Sequence, residues 1–375
     1  MMQIEVPGEV QAPPPGGHLF VFKETERPGG GPGRTIGFTN VEVRPRGFDE
    51  LAAAKPHHPV TIRLEMFNGT IVDTDVAEVD GSKYVNMTAT LESPFTSRAI
   101  GLVRGGWLPS TLAATRDNAV VMLDRNLVPE LLGRFEGGKK RGRSPDFLDL
   151  FQDSPIRINP LLYAMEGNGR AIPDPASAKA QLAEVVDKLQ KALPAAKLMI
   201  GPESMDGLLG LIEGTRSGMM RKKDFLLRVA PGLASPVARR NIDDKWKEIL
   251  EAADACRVPR FSLVVLAALS AVVVPNGAGP GKRLLKPKRA YGEADAYNAL
   301  CDLRSLDILL YALACFPEEN TQLCTADRNL ALFWCGLQAT DVQRSGLSIS
   351  FSLAPHEALL GAQYCRRWAT DVAPQ

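Results

Sequence analysis

The sequence predicts an α/β protein: a parallel sheet flanked by helices, preceded by a smaller β-rich N-terminal domain. Three observations carry this. Short runs rich in β-branched residues fill the first third of the chain, separated by Gly-, Asn- and Asp-containing turns. A later run, AVVML (119–123), is apolar without alternation, the mark of a strand buried on both faces, and QLCTA (322–326) reads as a second buried strand. Amphipathic segments at helical spacing lie between and after them, and strands alternating with helices imply parallel pairing.

Taken in order, residues 1–17 (ending VQAPPPGG) are Pro/Gly-rich and read as a poorly ordered tail. HLFVF, TIGFTNVEV, VTIRLEMF, TIVDTDVAEV, KYVNMTATL and AIGLV are short strands, with turns at GGGPG, FNGT and VDGSK. They predict a small antiparallel sheet or barrel over 18–116, with a role in substrate or partner binding or in restraining the second domain. The character changes at Asp117. NPLLYAME starts with Asn159 as a cap and Pro160 at the first helical position. In ASAKAQLAEVVDKLQKALP, Leu182, Val185, Val186, Leu189 and Leu193 share one face. IDDKWKEILEAADAC, the apolar 261–274 segment, ADAYNALCDLRSLDILLYALAC (294–315) and DRNLALFWCGL are further helices. A second domain therefore spans 117–340, and 341–375 is a C-terminal extension.

The composition is that of a soluble globular protein: 45% hydrophobic and 23% charged over 375 residues. The net charge of +1 neither supports nor excludes a polyanionic partner. FSLVVLAALSAVVV (261–274) is short for a membrane span and reads as a buried helix. MMQIEVPGEV lacks the features of a signal peptide, and the six cysteines form no CxxC pair. The expectation is a cytoplasmic protein with reduced thiols and no membrane partner.

Both buried strands end in an aspartate that leads into a helix, Asp124 and Asp327. If the strands are parallel members of one sheet, their carboxyl ends share the edge where open α/β sheets build ligand sites. Carboxylates brought together repel unless a cation is present, and an oxygen-only cluster suits Mg²⁺ or Mn²⁺. Glu166 ends NPLLYAME before the Gly167-Asn168-Gly169 break. The 294–315 helix supplies Asp302 and Asp307. With Leu303 at the centre of the apolar stripe, Asp307 falls about 40° to one side and Asp302 roughly 100° to the other, with Asn298 one turn before Asp302. Asp307 is thus expected to be the more buried, while Asp302 with Asn298 is its rival. Against all this, an aspartate after a strand is also an ordinary helix cap, and a helix-end glutamate an ordinary solvated charge.

These residues resemble the PIN-domain nucleases: an apolar strand ending in Asp, an acid on a following helix, a helix with Asp before an Ala/Leu/Ile run, and a strand ending T-x-D. Here they are VVML-Asp124, AME-Glu166, Asp307-ILLYALA and Thr325-Ala326-Asp327, in the same order over roughly 119–340. The distance from Asp124 to Asp307 exceeds what a minimal PIN domain needs, so an insertion of several helices is implied. The resemblance implies a PIN-like fold and metal-dependent phosphodiester hydrolysis, with RNA favoured over DNA. Asp124 and Asp327 would bind the ion, Glu166 and Asp302 or Asp307 would complete its shell, and Thr325 would orient Asp327 or contact phosphate. An inhibitory protein partner and a non-catalytic PIN-fold module binding nucleic acid or protein are the further possibilities; a flap-nuclease-like DNase is less favoured.

Two basic runs offer phosphate contacts: Lys139, Lys140, Arg141 and Arg143 in GGKKRGR, and Lys286, Lys288 and Arg289 in GKRLLKPKR. Such runs are more often solvated surface. GAGPGKR (277–283) lacks the first Gly and the Ser/Thr of a phosphate loop and reads as a turn. His57-His58 has no accompanying metal-ligand cluster and reads as surface loop.

Overall fold

The computed structural model describes residues 3–5, 20–24, 31, 33–55, 59–76, 84–93, 95–114, 116, 118–152, 155–274, 279–346 and 348–372. VDGSK, most of GGGPG and the His57-His58 pair lie outside the described residues. The structure is mixed α/β, built on two six-stranded sheets and many helices.

The first sheet is made from β1 (Gln3–Glu5), β2 (Phe20–Lys23), β3 (Thr35–Thr39), β4 (Glu42–Val43), β5 (Thr61–Thr74) and β6 (Tyr84–Glu92), with α1 (Phe48–Ala53) between β4 and β5. Its order is β1-β6-β5-β3-β2, with β4 beside β5, and every pairing is antiparallel. Two expectations are corrected here. Gln3–Glu5, placed in the disordered tail, pairs with β6. FNGT is not a turn: β5 runs through it, and the register shifts between Met66 and Gly69, with Asn68 at φ 59°. The Asn-Gly pair is a β-bulge, which accepts the left-handed conformation as a turn does while keeping the strand direction.

The chain continues through β7 (Ile100–Val103), β8 (Gly106–Pro109), α2 (Ser110–Ala114), β9 (Ala119–Leu123), α3 (Leu127–Arg134), the β10–β11 hairpin (Phe135–Glu136, Lys139–Lys140), β12 (Arg157–Asn159), α4 (Leu161–Glu166), α5 (Pro175–Ala192) and β13 (Lys197–Leu198). Helices α6 (Pro202–Val229), α7 (Ile242–Ala255), α8 (Leu263–Val273), α9 (Pro280–Leu285) and α10 (Glu293–Cys315) come next. The chain returns as β14 (Asn320–Thr325) and ends with α11 (Arg328–Leu337), the β15–β16 hairpin (Ala339–Ser345, Ser348–Leu353) and α12 (Glu357–Asp371). The second sheet has the order β13-β12-β9-β14-β7-β8. Strands β13, β12, β9 and β14 are parallel, while β7 and β8 are antiparallel additions. The apolar runs fit their place: β9 is buried along its whole length and β14 from Thr321 to Thr325.

The boundary at residue 116 is corrected. The β7–β8 hairpin lies in the second sheet because Ile100–Val103 is apolar on both faces and finds β14. Trp107 also ties back to the N-terminal region, its Nε1 donating to the Gly47 carbonyl at 3.0 Å. The segment after 340 is no appendage: β15 begins at Ala339, and Leu359, Leu360 and Trp368 of α12 are buried. A single contiguous core joins both sheets and the helices. The predicted turn at GAGPGKR contains the start of α9, with Pro280 in its first turn. Strands β12 and β13 and the helix α6 had no reading in the sequence. Among the described residues, no helix is long and apolar enough to cross a membrane.

Candidate active site

Strands β9 and β14 are parallel neighbours, paired Leu123 to Cys324, so their carboxyl ends emerge side by side. They are also where the order reverses, since the chain builds outward to β12 and β13 before returning to β14 on the other side of β9. Such a switch point leaves a crevice at the carboxyl edge. Asp124 and Asp327 stand there. The Asp124 amide extends the ladder to the Cys324 carbonyl at 2.9 Å, and the residue is 4% exposed.

Thr325, fully buried, joins the two aspartates. Its hydroxyl donates to Asp124 Oδ2 at 2.6 Å and accepts from the Asp327 amide at 3.0 Å. Asp327 in turn caps α11, its Oδ1 accepting from the Asn329 and Leu330 amides at 2.7 and 3.2 Å. The cap reading and the site reading are therefore compatible. One oxygen orders the helix and Oδ2 is left for another partner.

Glu166 and Asp302 complete the group. Burial, followed by the charges of Asp124 and Asp302, pushes Glu166 up to about 8, against opposing effects of Arg125 and Arg304. Burial, followed by the charges of Asp124 and Asp327, pushes Asp302 up to about 7, with Lys286 opposing. Asp124 is also raised, by burial first, and Asp327 adds to the shift. Three acids, at the end of β9, on α4 and on α10, are thus raised in part by acidic neighbours, and Asp327 after β14 acts on two of them. Among the described residues, however, no group of three or more His, Cys, Asp or Glu side chains is arranged to hold a metal ion. The acids are electrostatic neighbours without forming a closed ligand cage.

Asp307 is not among them. Its Oδ2 accepts from Lys222 Nζ of α6 at 2.7 Å, and its side chain is 35% exposed. Asp307 is not the more buried acid expected from the apolar stripe, because α10 is buried on most sides, from Ala296 to Ala314. A helix packed against several partners has no single buried face from which angles can be measured. Asn298, one turn before Asp302, is exposed.

The residues that hold Glu166 lie outside the set expected from the sequence. Arg304, buried inside α10, donates to the Met165 carbonyl at 3.3 Å and to Thr215 Oγ1 of α6 at 2.6 Å. The Tyr297 hydroxyl donates to the Glu166 carbonyl. Arg125 bonds the Gly167 carbonyl at 2.8 Å and the side chain of Asn168, and lies over the Tyr163 ring at 4.5 Å. The end of α4 is thereby fixed by donors from the strand-end turn and from α10. An arginine in a Leu-rich helical run was the available signal, since a buried guanidinium requires acceptors.

The first basic run does not flank this site. The Gly138 amide donates to the carbonyl of Ala192 at the end of α5, shortly before β13 begins. That is the amino edge of the parallel strands, opposite the acids, because each parallel crossover returns the chain to that edge. Its charges are also paired: Lys140 with Asp149 at 2.6 Å, Arg141 with Glu136 at 3.2 Å and Arg143 with Glu130 at 3.1 Å, while Lys139 is exposed. The second run precedes α10. Lys286 acts on Asp302, Lys288 pairs with Asp295 at 2.8 Å, and Arg289 is exposed.

Comparisons with protein-family models, with curated proteins and with solved structures find no match for this chain.

Proposed function

We propose that the chain is a metal-dependent nuclease with a PIN-like domain, hydrolysing phosphodiester bonds in RNA rather than DNA. The observation that carries this reading is that Asp124, Glu166 and Asp302, on separate elements at the switch point of a parallel sheet, are each raised in part by neighbouring acids, Asp327 among them. They keep the order of the PIN resemblance, with Asp302 in place of Asp307. The choice of RNA rests on that resemblance alone.

The donor set is all oxygen and carries more negative charge than its buried setting favours, which suits Mg²⁺ or Mn²⁺. Asp124, Asp327 and Asp302 would hold the ion, with Glu166 beside them. When bound, it supplies a hydroxide near neutral pH and offsets charge on the attacked phosphate. The chain's own residues do the positioning. Thr325 fixes the Asp124 carboxylate, the α11 cap fixes Asp327, and Arg304 and Tyr297 hold the backbone that carries Glu166. Lys286 is placed to meet a phosphate beside Asp302.

The test is cleavage of labelled single-stranded RNA and DNA with Mn²⁺, Mg²⁺ or EDTA. Asp124→Asn and Asp327→Asn are each expected to lower the rate by about 10³-fold while the protein stays folded, and EDTA should abolish it. Activity surviving both substitutions would sink the mechanism. A second reading, a non-catalytic module that binds nucleic acid or protein, is favoured by one observation: no three acids stand as a ready ligand set among the described residues. Binding of RNA without cleavage under any metal would establish it.

A further inference from the structure

The long connection between β13 and β14 contributes a second feature beside the acids. A cavity of ≈ 240 Å³ opens between α6, the start of α10 and the loop that follows α4. Its charged lining consists of Arg170, Arg216, Lys223 and one carboxylate, Glu293. The rest of the lining is apolar, with Ile172, Met220 and Leu300 among it, together with Tyr297. Two of the cations have partners, Arg216 with Glu213 at 2.8 Å and Lys223 with Glu293 at 3.2 Å. Those carboxylates are 74% and 75% exposed, and ion pairs of this kind are weak and readily exchanged.

The cavity is coupled to the acid cluster through its own wall. Tyr297, which lines it, donates to the Glu166 carbonyl. Arg170 comes directly after the Gly167-Asn168-Gly169 break that ends α4 at Glu166. A ligand that suits this lining is anionic on one side and apolar on the other, and small enough for one ring system. That combination is a nucleotide of a single strand, with its base against the apolar wall and its phosphates beside the cations.

The geometry points to a subsite for a nucleotide flanking the scissile bond, built by α6 of the helical insertion. It rests on the nuclease reading for its relation to cleavage, but its test does not. The full chain is titrated in EDTA with a fluorescein-labelled twelve-nucleotide oligouridylate and with the same strand in a duplex. Arg216→Glu/Lys223→Glu should weaken single-strand binding roughly tenfold at low salt. It should also flatten the plot of log affinity against log salt by about 1.4, two phosphate contacts at 0.7 each. Arg216→Gln/Lys223→Gln should shift both quantities the same way, and it keeps the test decisive if the charge reversal unfolds the protein.

Unchanged affinity and slope in the folded variants would overturn the subsite. Equal binding of duplex and single strand would also overturn it, because a paired base cannot enter the cavity. Cleavage by the wild type with unchanged binding in the variants would refute the subsite alone. Binding through these residues without cleavage in Mn²⁺ would refute the nuclease reading alone.

Discussion

At the carboxyl edge of the central sheet Asp124, Glu166 and Asp302 are raised in part by neighbouring acids, while at its amino edge the bases Lys140, Arg141 and Arg143 are each matched with an acid. Only the basic run is a charge cluster in the sequence, while the acids are scattered from 124 to 327; both were candidates for the same site. The difference lies in compensation. Arg125, Arg304 and Lys286 oppose the rise of the acids without cancelling it, so Glu166 and Asp302 stay raised to about 8 and about 7. Charge that a fold leaves poorly compensated in a buried place marks a candidate functional site; charge that it pairs on the surface points to solubility and local structure.

The sharpest test of that contrast lies within one helix. Asp302→Asn should lower the cleavage rate by about 100-fold, as expected for a group in or beside a metal's shell. Asp307→Asn loses only a half-exposed pair with Lys222 and should stay within about threefold. Initial rates on labelled RNA in Mn²⁺ decide it, and equal losses would break the assignment.

A smaller effect is expected in stability against pH. The ordinary values of Glu166 and Asp302 are 4.5 and 3.8, and the fold raises them to about 8 and about 7. Over that window the folded chain holds protons that the unfolded chain has released, so metal-free stability falls as pH rises and levels off above the folded values. Urea midpoints in EDTA should show a loss of several kcal/mol between pH 5 and pH 9 from this pair. Glu166→Gln should flatten the profile; a profile as steep as the wild type's would show that Glu166 is not raised.

The smallest effect belongs to the other side of the comparison. Lys139→Ala/Arg141→Ala should alter cleavage and RNA binding by less than about twofold, since these side chains are solvated or locally paired and lie at the far edge. A tenfold loss would place substrate on that edge.

The order of the acids and the two buried strands could be read because each rests on a local pattern: an unbroken apolar run, a terminal Asp and a helix behind it. The fate of Asp302 and Asp307 could not, because it depends on which helices pack around α10, a tertiary fact absent from a five-residue spacing. For the same reason AIGLV reads as part of the first sheet yet joins the second, since a short β-branched run carries no label for its partner strand. FNGT reads as a turn because a bulge and a turn ask for the same residues. Strands β12 and β13 are three and two residues long, too short to show a period.

Arg304 has a consequence for how this protein could change over descent. Its guanidinium ties the last turn of α4 to Thr215 in α6 from within a buried helix. A lineage that discarded α6 would leave that cation without two of its acceptors, Thr215 Oγ1 and the Leu211 carbonyl, in a setting where an unpartnered charge is costly. Deletion of the helical insertion should therefore be accompanied by exchange of Arg304 for an apolar residue. Glu166 would then need a new anchor, so the acid most dependent on Arg304 is the one most exposed to replacement.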